Sequence, residues 1–352
     1  MRASTSFNVA FAALCGLATW ASSASSAAIE RAAADAKVGY AFFYFRGDSA
    51  GQEEVFAAVS KGNSPLSWDL INGGNVFLSS NQGTTGVRDP SIVASPDGSK
   101  FYMLGTDLKV SATTWSASAR TGSRSILIWE STDLVNWGQP ALREVVGPTA
   151  GNAWAPEAIW NPSSQLYEVF FSSAIYPASD PKHETGTYQR VMKTTTKDFV
   201  SFTPAVPYID DGKNAYIDTT FLRAGSKLYR FTKDENSVSS SDPNGKMVFQ
   251  DVSSDDSPDG KFTRVANAIG KGSISQGEGP TAFVDNNDPN KSWLFIDEFG
   301  GRGYVPFYST DVASGKWQIA SDWSMPSNKA RHGTVLPVDQ KRYDALRKLV
   351  RA

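Results

Sequence analysis

The sequence contains very little cysteine and histidine. Its 352 residues include one cysteine, Cys15, and two histidines, His183 and His332. Because Cys15 lies in an N-terminal segment that we expect to be removed, the remaining chain is predicted to have no disulfide and to depend on its apolar core for stability. Two histidines without paired spacing also argue against a transition-metal site, which needs more imidazole or thiolate ligands.

A strong charge bias is absent as well. The formal net charge is -2, with 40% hydrophobic and 20% charged residues, so the composition gives no reason to expect nucleic acid or an anionic membrane as a partner. No apolar run beyond the N-terminal segment is long enough to span a bilayer. The sequence also lacks a glycine-rich phosphate loop after a strand.

The first residues have the pattern of a targeting signal. Arg2 provides a positive charge, residues 7–20 form an apolar stretch, and small residues at 24–28 suit cleavage. We therefore predict that residues 1–28 are a signal peptide, that the mature protein begins near Ile29, and that it is secreted to the extracellular space.

The rest of the chain is dominated by short strand patterns separated by turns. A turn followed by an aromatic and β-branched segment recurs in DGSKFYML, SSQLYEVFF, GSKLYRF and NKSWLFID, and another strand and polar turn follow each copy. Helical periodicity is nearly absent until the C-terminal QKRYDALRKLVRA, which predicts a short helix. The pattern is typical of an all-β protein.

Each of these turns is preceded by a strand that has one ionisable residue near its start. A fifth strand of this kind lies close to the C-terminus. These residues are Asp89, Glu157, Asp218, Glu278 and His332, and they are spaced by about 60 residues. Units of this length with roughly four antiparallel strands are typical of a β-propeller. We predict a single five-bladed β-propeller over residues 29–352, a monomer, whose ring is closed by N-terminal strands that pair with the C-terminal inner strand.

Such a ring would bring five charges to the mouth of a central channel. Like charges held close together in a partly dry site raise each other's pKa and cost stability, which proteins tolerate at active sites. A general acid and a general base acting on a glycosidic bond fit these carboxylates best, and this chemistry requires no cofactor. A structural calcium at the centre of the ring is an alternative, since oxygen ligands suffice for it.

The motifs around these residues resemble a known family. RDP at 88–90, IDTT at 217–220 and GEGP at 277–280, together with WAPE and RHGT, resemble in order and spacing the signature positions of glycoside hydrolase family 43. That family consists of five-bladed propellers that invert the anomeric carbon. The resemblance covers essentially the whole mature chain. It implies that Asp89 is the general base, that Glu278 is the general acid, and that Asp218 raises the pKa of the acid and orients it.

Four further residues are candidates for substrate binding. Glu157 would bind a sugar hydroxyl, or else pair with Arg88. Trp154 would stack on a sugar ring, or else fill the core between blades. Trp115 would shape a subsite from a long loop, and Arg302 would reach the substrate from a glycine-rich turn, or else be solvated or ion-paired.

His332 is a candidate of a different kind. It resembles the axial histidine that, in this family, often lies under the active site and helps to hold a calcium ion or a water molecule. A core histidine with satisfied hydrogen bonds is the alternative.

The resemblance implies plant cell-wall polysaccharide as the substrate. It favours α-L-arabinofuranosides first and β-xylosides second, with endo-cleavage of arabinan or exo-cleavage of β-1,3-galactan behind them. Specificity depends on loops at the channel mouth, and their length favours a pocket and exo action.

Three other interpretations fit less well. A sialidase-like propeller needs three arginines and a tyrosine nucleophile, whereas these strands offer acids. An invertase-like enzyme would have an NDPNG strand and an EC motif, and neither is found. A noncatalytic sugar-binding propeller would be expected to have lost at least one of the three acids.

Overall fold

The computed structural model of the protein describes residues 36–350, so the predicted signal peptide at residues 1–28 lies outside the described residues. Within residues 36–350, no helix has both the length and the apolar character needed to cross a membrane.

The described chain forms five antiparallel sheets of four strands each. In chain order the strands are β1 (Lys37–Phe45), β2 (Phe56–Ser60), β3 (Trp68–Leu70), β4 (Val87–Ala94), β5 (Phe101–Asp107), β6 (Ser125–Ser131), β7 (Ala141–Glu144), β8 (Trp154–Asn161), β9 (Leu166–Ala174), β10 (Gln189–Thr196), β11 (Val206–Ile209), β12 (Tyr216–Ala224), β13 (Lys227–Asp234), β14 (Val248–Ser253), β15 (Phe262–Ile269), β16 (Glu278–Val284), β17 (Ser292–Glu298), β18 (Gly303–Ser309), β19 (Gln318–Ile319) and β20 (Arg331–Asp339).

Each sheet is one blade of a propeller. Blades 1 to 4 are built from consecutive strands, β4 to β7, β8 to β11, β12 to β15 and β16 to β19, whereas blade 5 has the order β20-β1-β2-β3. The strands β4, β8, β12, β16 and β20 lie against one another around the centre. This arrangement confirms the predicted all-β five-bladed propeller and the predicted way in which the ring closes.

The closing strand β1 is buried on both of its faces. It pairs with β20 from Lys37 opposite Asp339 to Phe45 opposite Arg331. Because side chains alternate along a strand, Phe43 packs into the core shared with blade 1, and Phe42 packs into the core shared with blade 4. Burying each aromatic ring contributes roughly 2 kcal/mol, so this strand fastens blade 5 to both neighbours without a disulfide.

Two short α-helices accompany the strands. Helix α1 (Trp115–Thr121) lies between β5 and β6 and begins where the Thr114 side chain accepts a hydrogen bond from Ala117 N. The sequence did not predict this helix, because about two turns give too few residues for a periodic pattern. Helix α2 (Gln340–Arg347) follows β20 and buries Leu346, as the C-terminal pattern predicted. Short 3-10 turns occur at Ile71–Gly74, Val110–Ala112 and Val312–Ser314.

Candidate active site

β-Bulges shape the mouth of the central channel. In β4, β8, β12 and β16, the pairing with the next strand skips two residues near the start of the strand. The first skipped residue has a positive φ in every case: 51° at Asp89, 49° at Ala155, 56° at Asp218 and 51° at Gly279. This left-handed conformation costs a residue other than glycine about 1 to 2 kcal/mol, and such strain is concentrated at functional sites.

The five predicted ionisable residues occupy different positions relative to the bulges of their inner strands. Asp89 and Asp218 occupy the first bulge position of β4 and β12, and His332 lies at the corresponding irregularity of β20. Glu278 immediately precedes the bulge of β16, whereas Glu157 follows the bulge of β8. The expectation that all five charges meet at one point is therefore wrong for Glu157, which lies deeper along its strand.

The other four residues share one pocket. A cavity of about 490 Å³ is lined by Asp89, Asp218, Glu278 and His332, with Trp115 and Trp154 among its other walls. Neither Glu157 nor Arg302 lines it. A larger groove of about 830 Å³ lies between the outer parts of blades 1 and 2, away from these acids. The concentration of acids identifies the smaller cavity as the candidate active site.

Asp89 is held by contacts on both of its oxygens. The Thr106 hydroxyl donates to Asp89 Oδ2 at 2.7 Å, and His332 Nδ1 lies 3.3 Å from Asp89 Oδ1. Thr106 Oγ1 also accepts a hydrogen bond from Ala155 N at 2.7 Å. These contacts fix the orientation of a carboxylate that faces the cavity, as a general base requires.

Asp218 lies on the other side of the same histidine. Its Oδ2 is 3.7 Å from His332 Nδ1 and accepts a hydrogen bond from Gly279 N at 3.0 Å. Burial raises the pKa of Asp218 to about 6, although the His332 charge opposes this shift. The neutral form of a buried carboxyl avoids the cost of desolvation, so burial favours the protonated form of Asp218.

Glu278 forms salt bridges with two cations. Lys233 Nζ lies 2.8 Å from Glu278 Oε2, and the Arg331 guanidinium lies 2.7 Å from Glu278 Oε1. Burial alone would raise the pKa of Glu278, but Lys233 and Arg331 outweigh it and lower this pKa to about 2. The pKa of Glu278 is thus lowered, not raised as expected from Asp218, because the two cations dominate.

Arg331 connects the pocket to a buried carboxylate behind it. Its Nε donates to Asp297 Oδ2 at 2.6 Å, and the backbone N of His332 donates to the same oxygen at 3.2 Å. Asp297 is fully buried, and this burial raises its pKa to about 6. The pairing fixes the guanidinium in the position from which it contacts Glu278.

His332 lies between two carboxylates of the pocket. Its Nδ1 faces Asp89 and Asp218 directly. Within residues 36–350, no three His, Cys, Asp or Glu side chains are grouped so that they could hold a metal ion directly. The calcium at the centre of the ring, held with the help of His332 through water, stays a prediction, and no step of the chemistry is assigned to a metal.

Aromatic and basic side chains form one wall of the pocket. Trp115 packs edge-on against Trp154, with ring centroids 5.9 Å apart. The Arg88 guanidinium lies 5.0 Å from the Trp115 ring and pairs with Asp48 and Glu53, at 2.7 and 3.5 Å. The alternative that Glu157 pairs with Arg88 is therefore wrong, since Arg88 has other partners.

The remaining two candidates lie outside the cavity. Arg302 pairs with Glu298 and donates to the carbonyl oxygen of Ser273, so the ion-paired alternative describes it. Glu157 has a pKa raised to about 8 by burial, although the Thr220 side chain donates a hydrogen bond to it. Both are positioned for structural roles around the site.

Several residues of the site were missed in the sequence. Thr106 and Lys233 lie near the ends of second strands, in FYMLGTD and KLYRFTKD, and contact inner strands far away in the chain. Arg331 directly precedes His332. Glu53 accepts hydrogen bonds from Ser111 N and Oγ and so anchors the 3-10 turn before α1. For Thr106 and Lys233, the only signal in the sequence was a polar residue inside an apolar strand.

Known proteins resemble this chain over most of its length. The sequence model of the glycosyl hydrolase 43-related family, described as “Probable glycosyl hydrolase domain”, matches residues 35–344. A curated α-L-arabinofuranosidase of Bifidobacterium longum subsp. longum is 35% identical over 226 residues, which cover 60% of this chain and 21% of that protein. The chain thus spans about a fifth of this curated relative.

Two solved structures illustrate the structural likeness. An exo-β-1,3-galactanase from Phanerochaete chrysosporium is 16% identical with a TM-score of 0.44, over 70% of this chain and 50% of that chain. An α-L-arabinofuranosidase from Podospora anserina is 12% identical with a TM-score of 0.46, over 72% and 74%. The match of the family sequence model to residues 35–344 decides the assignment: the chain belongs to the glycosyl hydrolases related to family 43.

Proposed function

We propose that this chain is a secreted inverting glycosidase that acts on plant cell-wall polysaccharide, as an exo-acting α-L-arabinofuranosidase. The observation that carries the proposal is that Asp89 and Glu278 line one pocket from the nonadjacent inner strands β4 and β16. The printed name of the curated relative supports arabinofuranoside as the first substrate to test.

In the proposed reaction, Asp89 and Glu278 act on opposite sides of the glycosidic bond. Asp89 takes a proton from a water molecule, whose oxygen then bonds to the anomeric carbon as the glycosidic carbon–oxygen bond breaks. Glu278 gives its proton to the departing oxygen. Because water attacks from the side opposite the leaving group, the configuration at the anomeric carbon is inverted.

The protonation of Glu278 is the demanding part of this mechanism. Lys233 and Arg331 lower the pKa of Glu278 to about 2, whereas a general acid must carry a proton at the working pH. Glu278 must therefore gain a proton from solvent before or during substrate binding, when the surrounding ion pairs rearrange.

The walls of the pocket support exo action. Helix α1 carries Trp115 at the rim, and the loop before it is anchored by Glu53. A terminal sugar would enter between the tryptophan wall and the acids, whereas a long chain passing through would meet α1. A β-xylosidase and an endo-arabinanase are the alternatives within the same reaction class.

A second candidate function follows from the ion pairs of Glu278. A carboxylate with both oxygens bound to cations is suited to a noncatalytic carbohydrate-binding propeller, in which the acids only accept hydrogen bonds from sugar hydroxyls. This alternative predicts binding without turnover.

The test is the initial rate of the mature protein on aryl α-L-arabinofuranoside, β-D-xyloside and β-D-galactoside, and on linear arabinan with product sizing. Release of monomeric arabinose supports the exo-arabinofuranosidase, and oligosaccharides alone indicate an endo-arabinanase. Asp89→Ala serves as a control that should abolish turnover on every substrate. Glu278→Ala should abolish turnover of arabinan but retain part of the activity on the activated aryl glycosides, which need no protonation. Saturable sugar binding with no turnover on any substrate would favour the binding propeller.

A further inference from the structure

Lys233 is a buried cation between two carboxylates of the pocket. It lies on β13, the second strand of blade 3, with a side chain that is 3% exposed. Its Nζ is 2.8 Å from Glu278 Oε2 and also 2.8 Å from Glu235 Oε2. The Phe299 ring lies 4.2 Å from the ammonium. The ammonium thus lies equally close to the proposed acid and to a second carboxylate, but of the two it donates a hydrogen bond to Glu278 alone.

The second carboxylate is itself held in place. Lys246 Nζ lies 2.7 Å from Glu235 Oε1 and donates to the backbone oxygen of Glu235 at 2.7 Å. Glu235 is therefore a fixed alternative partner, toward which the ammonium can shift without losing its charge compensation. A buried ammonium needs at least one such partner.

Other charged groups face Glu278 from each neighbouring strand. Arg331 and His332 approach from β20, Asp218 from β12 and Asp297 from β17. Arg331 is committed to Asp297 through its Nε, so its position is fixed. Arg331 contacts Asp297 and Glu278 through two different nitrogens. Lys233 contacts Glu278 and Glu235 through the same Nζ, so it is the cation that can shift from one carboxylate to the other.

We propose that Lys233 is a positioning residue that controls when Glu278 carries a proton. While its ammonium pairs with Glu278, Lys233 favours the ionised form of that carboxylate. When the ammonium pairs with Glu235 alone, Glu278 Oε2 accepts a proton from a solvent hydronium ion, leaving water, and can then donate it to the leaving group. This inference rests on the proposed function of Glu278 as the general acid.

The experiment compares two substrates that share the sugar cleaved by the wild-type protein. One has an activated aryl leaving group, which needs no protonation, and the other has a poor leaving group, which does. The ratio of kcat/KM for the poor substrate to kcat/KM for the activated one measures acid assistance. The ratio is determined at pH 8, above the pKa of about 6 of Asp218 and the lower pKa of Glu278.

Two substitutions should move this ratio in opposite directions. Lys233→Met removes a cation from Glu278, so we expect the ratio to rise by about tenfold for each unit by which the pKa of Glu278 increases. Glu235→Gln leaves Lys233 with Glu278 as its one carboxylate, so we expect the ratio to fall. Lys233→Arg keeps the charge and should stay close to wild type.

Controls separate this effect from damage to the fold. Lys227→Met alters an exposed lysine at the other end of the same strand and should leave the ratio unchanged. A purely structural role for Lys233 predicts equal losses on both substrates in Lys233→Met. Equal losses, or shifts of the same sign in Lys233→Met and Glu235→Gln, would overturn the inference. Absence of turnover in the wild-type protein would instead reject the proposed function.

Discussion

The Thr106 hydroxyl joins Asp89 of blade 1 to the backbone of blade 2. It donates to Asp89 Oδ2 and accepts from Ala155 N, both at 2.7 Å. Because the Ala155 N–H points at the hydroxyl oxygen, the hydroxyl proton is directed to the carboxylate. The proposed base is therefore oriented by a contact between two blades, which neither inner strand could make alone.

Replacing Thr106 by valine tests this contact. Thr106→Val keeps the shape of the side chain but leaves Asp89 Oδ2 and the buried Ala155 N–H without their partner. A lost hydrogen bond to a charged group costs about 1.5 to 3 kcal/mol, so we expect kcat/KM to fall by roughly 10- to 100-fold. Steady-state kinetics would measure this. Thr106→Ser retains the hydroxyl and should recover most of the activity, and equal activity of the two variants would contradict the prediction.

Two constraints favour glycine at position 279: the adjacent His332 ring leaves no space for a side chain, and the backbone has a positive φ. A Cβ at this position would lie 2.5 Å from His332 Cγ, and φ is 51°. Gly279→Ala should therefore displace His332 from Asp89 and Asp218, lower the melting temperature and abolish most activity. Thermal unfolding and kinetics would measure both effects.

Gly225 provides the matched control for this substitution. Its φ is 59°, but a Cβ there meets no atom within 4 Å. Gly225→Ala should cost about 1 kcal/mol of backbone strain and leave activity intact. A similar loss of activity in both variants would show that the contact with His332 is unimportant.

Glu157 should make stability depend on pH. Burial raises its folded-state pKa from 4.5 to about 8, so its contribution is fully present below pH 4.5 and is lost as the pH rises to about 8. Glu157→Gln does not titrate. The free energy of unfolding of the wild type, relative to this variant, should therefore decrease between pH 5 and 9.

Denaturant titrations over this pH range would measure the difference. Glu130→Gln changes a carboxylate at the surface, whose side chain is 49% exposed, and should leave the pH dependence of the wild type unaltered. A constant difference between wild type and Glu157→Gln across the range would mean that Glu157 is ionised throughout.

Trp115 should affect substrate binding much more than folding. Its side chain is 47% exposed at the pocket rim and contacts Trp154 and Arg88. Trp115→Ala should raise KM by roughly tenfold, since a stacked aromatic ring contributes about 1.5 kcal/mol, with little change in melting temperature. Trp115→Phe keeps a flat ring, so its KM should lie between that of the wild type and that of Trp115→Ala. An unchanged KM in Trp115→Ala would remove Trp115 from the subsite.

The sequence was most informative where the signal is local. The alternation of apolar residues, the turn residues between strands and the recurrence of one pattern about every 60 residues predicted the blades, because strand formation and turn chemistry depend on near neighbours. The same repeat predicted that Asp89, Asp218, Glu278 and His332 would meet, since equivalent positions on inner strands face the same channel. The pairing of β1 with β20 followed from the incomplete last repeat.

The tertiary structure decided what the repeat could not. Strand β8 has the same bulge as β4 and β12, but Glu157 follows it, two residues beyond the position that Asp89 and Asp218 occupy, so Glu157 does not line the pocket. The partners of Glu278 come from β13 and β20, and the pKa of that residue depends on distances between strands that are remote in sequence. Local pattern therefore predicted which inner-strand residues surround the pocket, whereas electrostatics over a few ångströms, set only by the packed fold, decided the directions in which the pKa values of Asp218 and Glu278 shift.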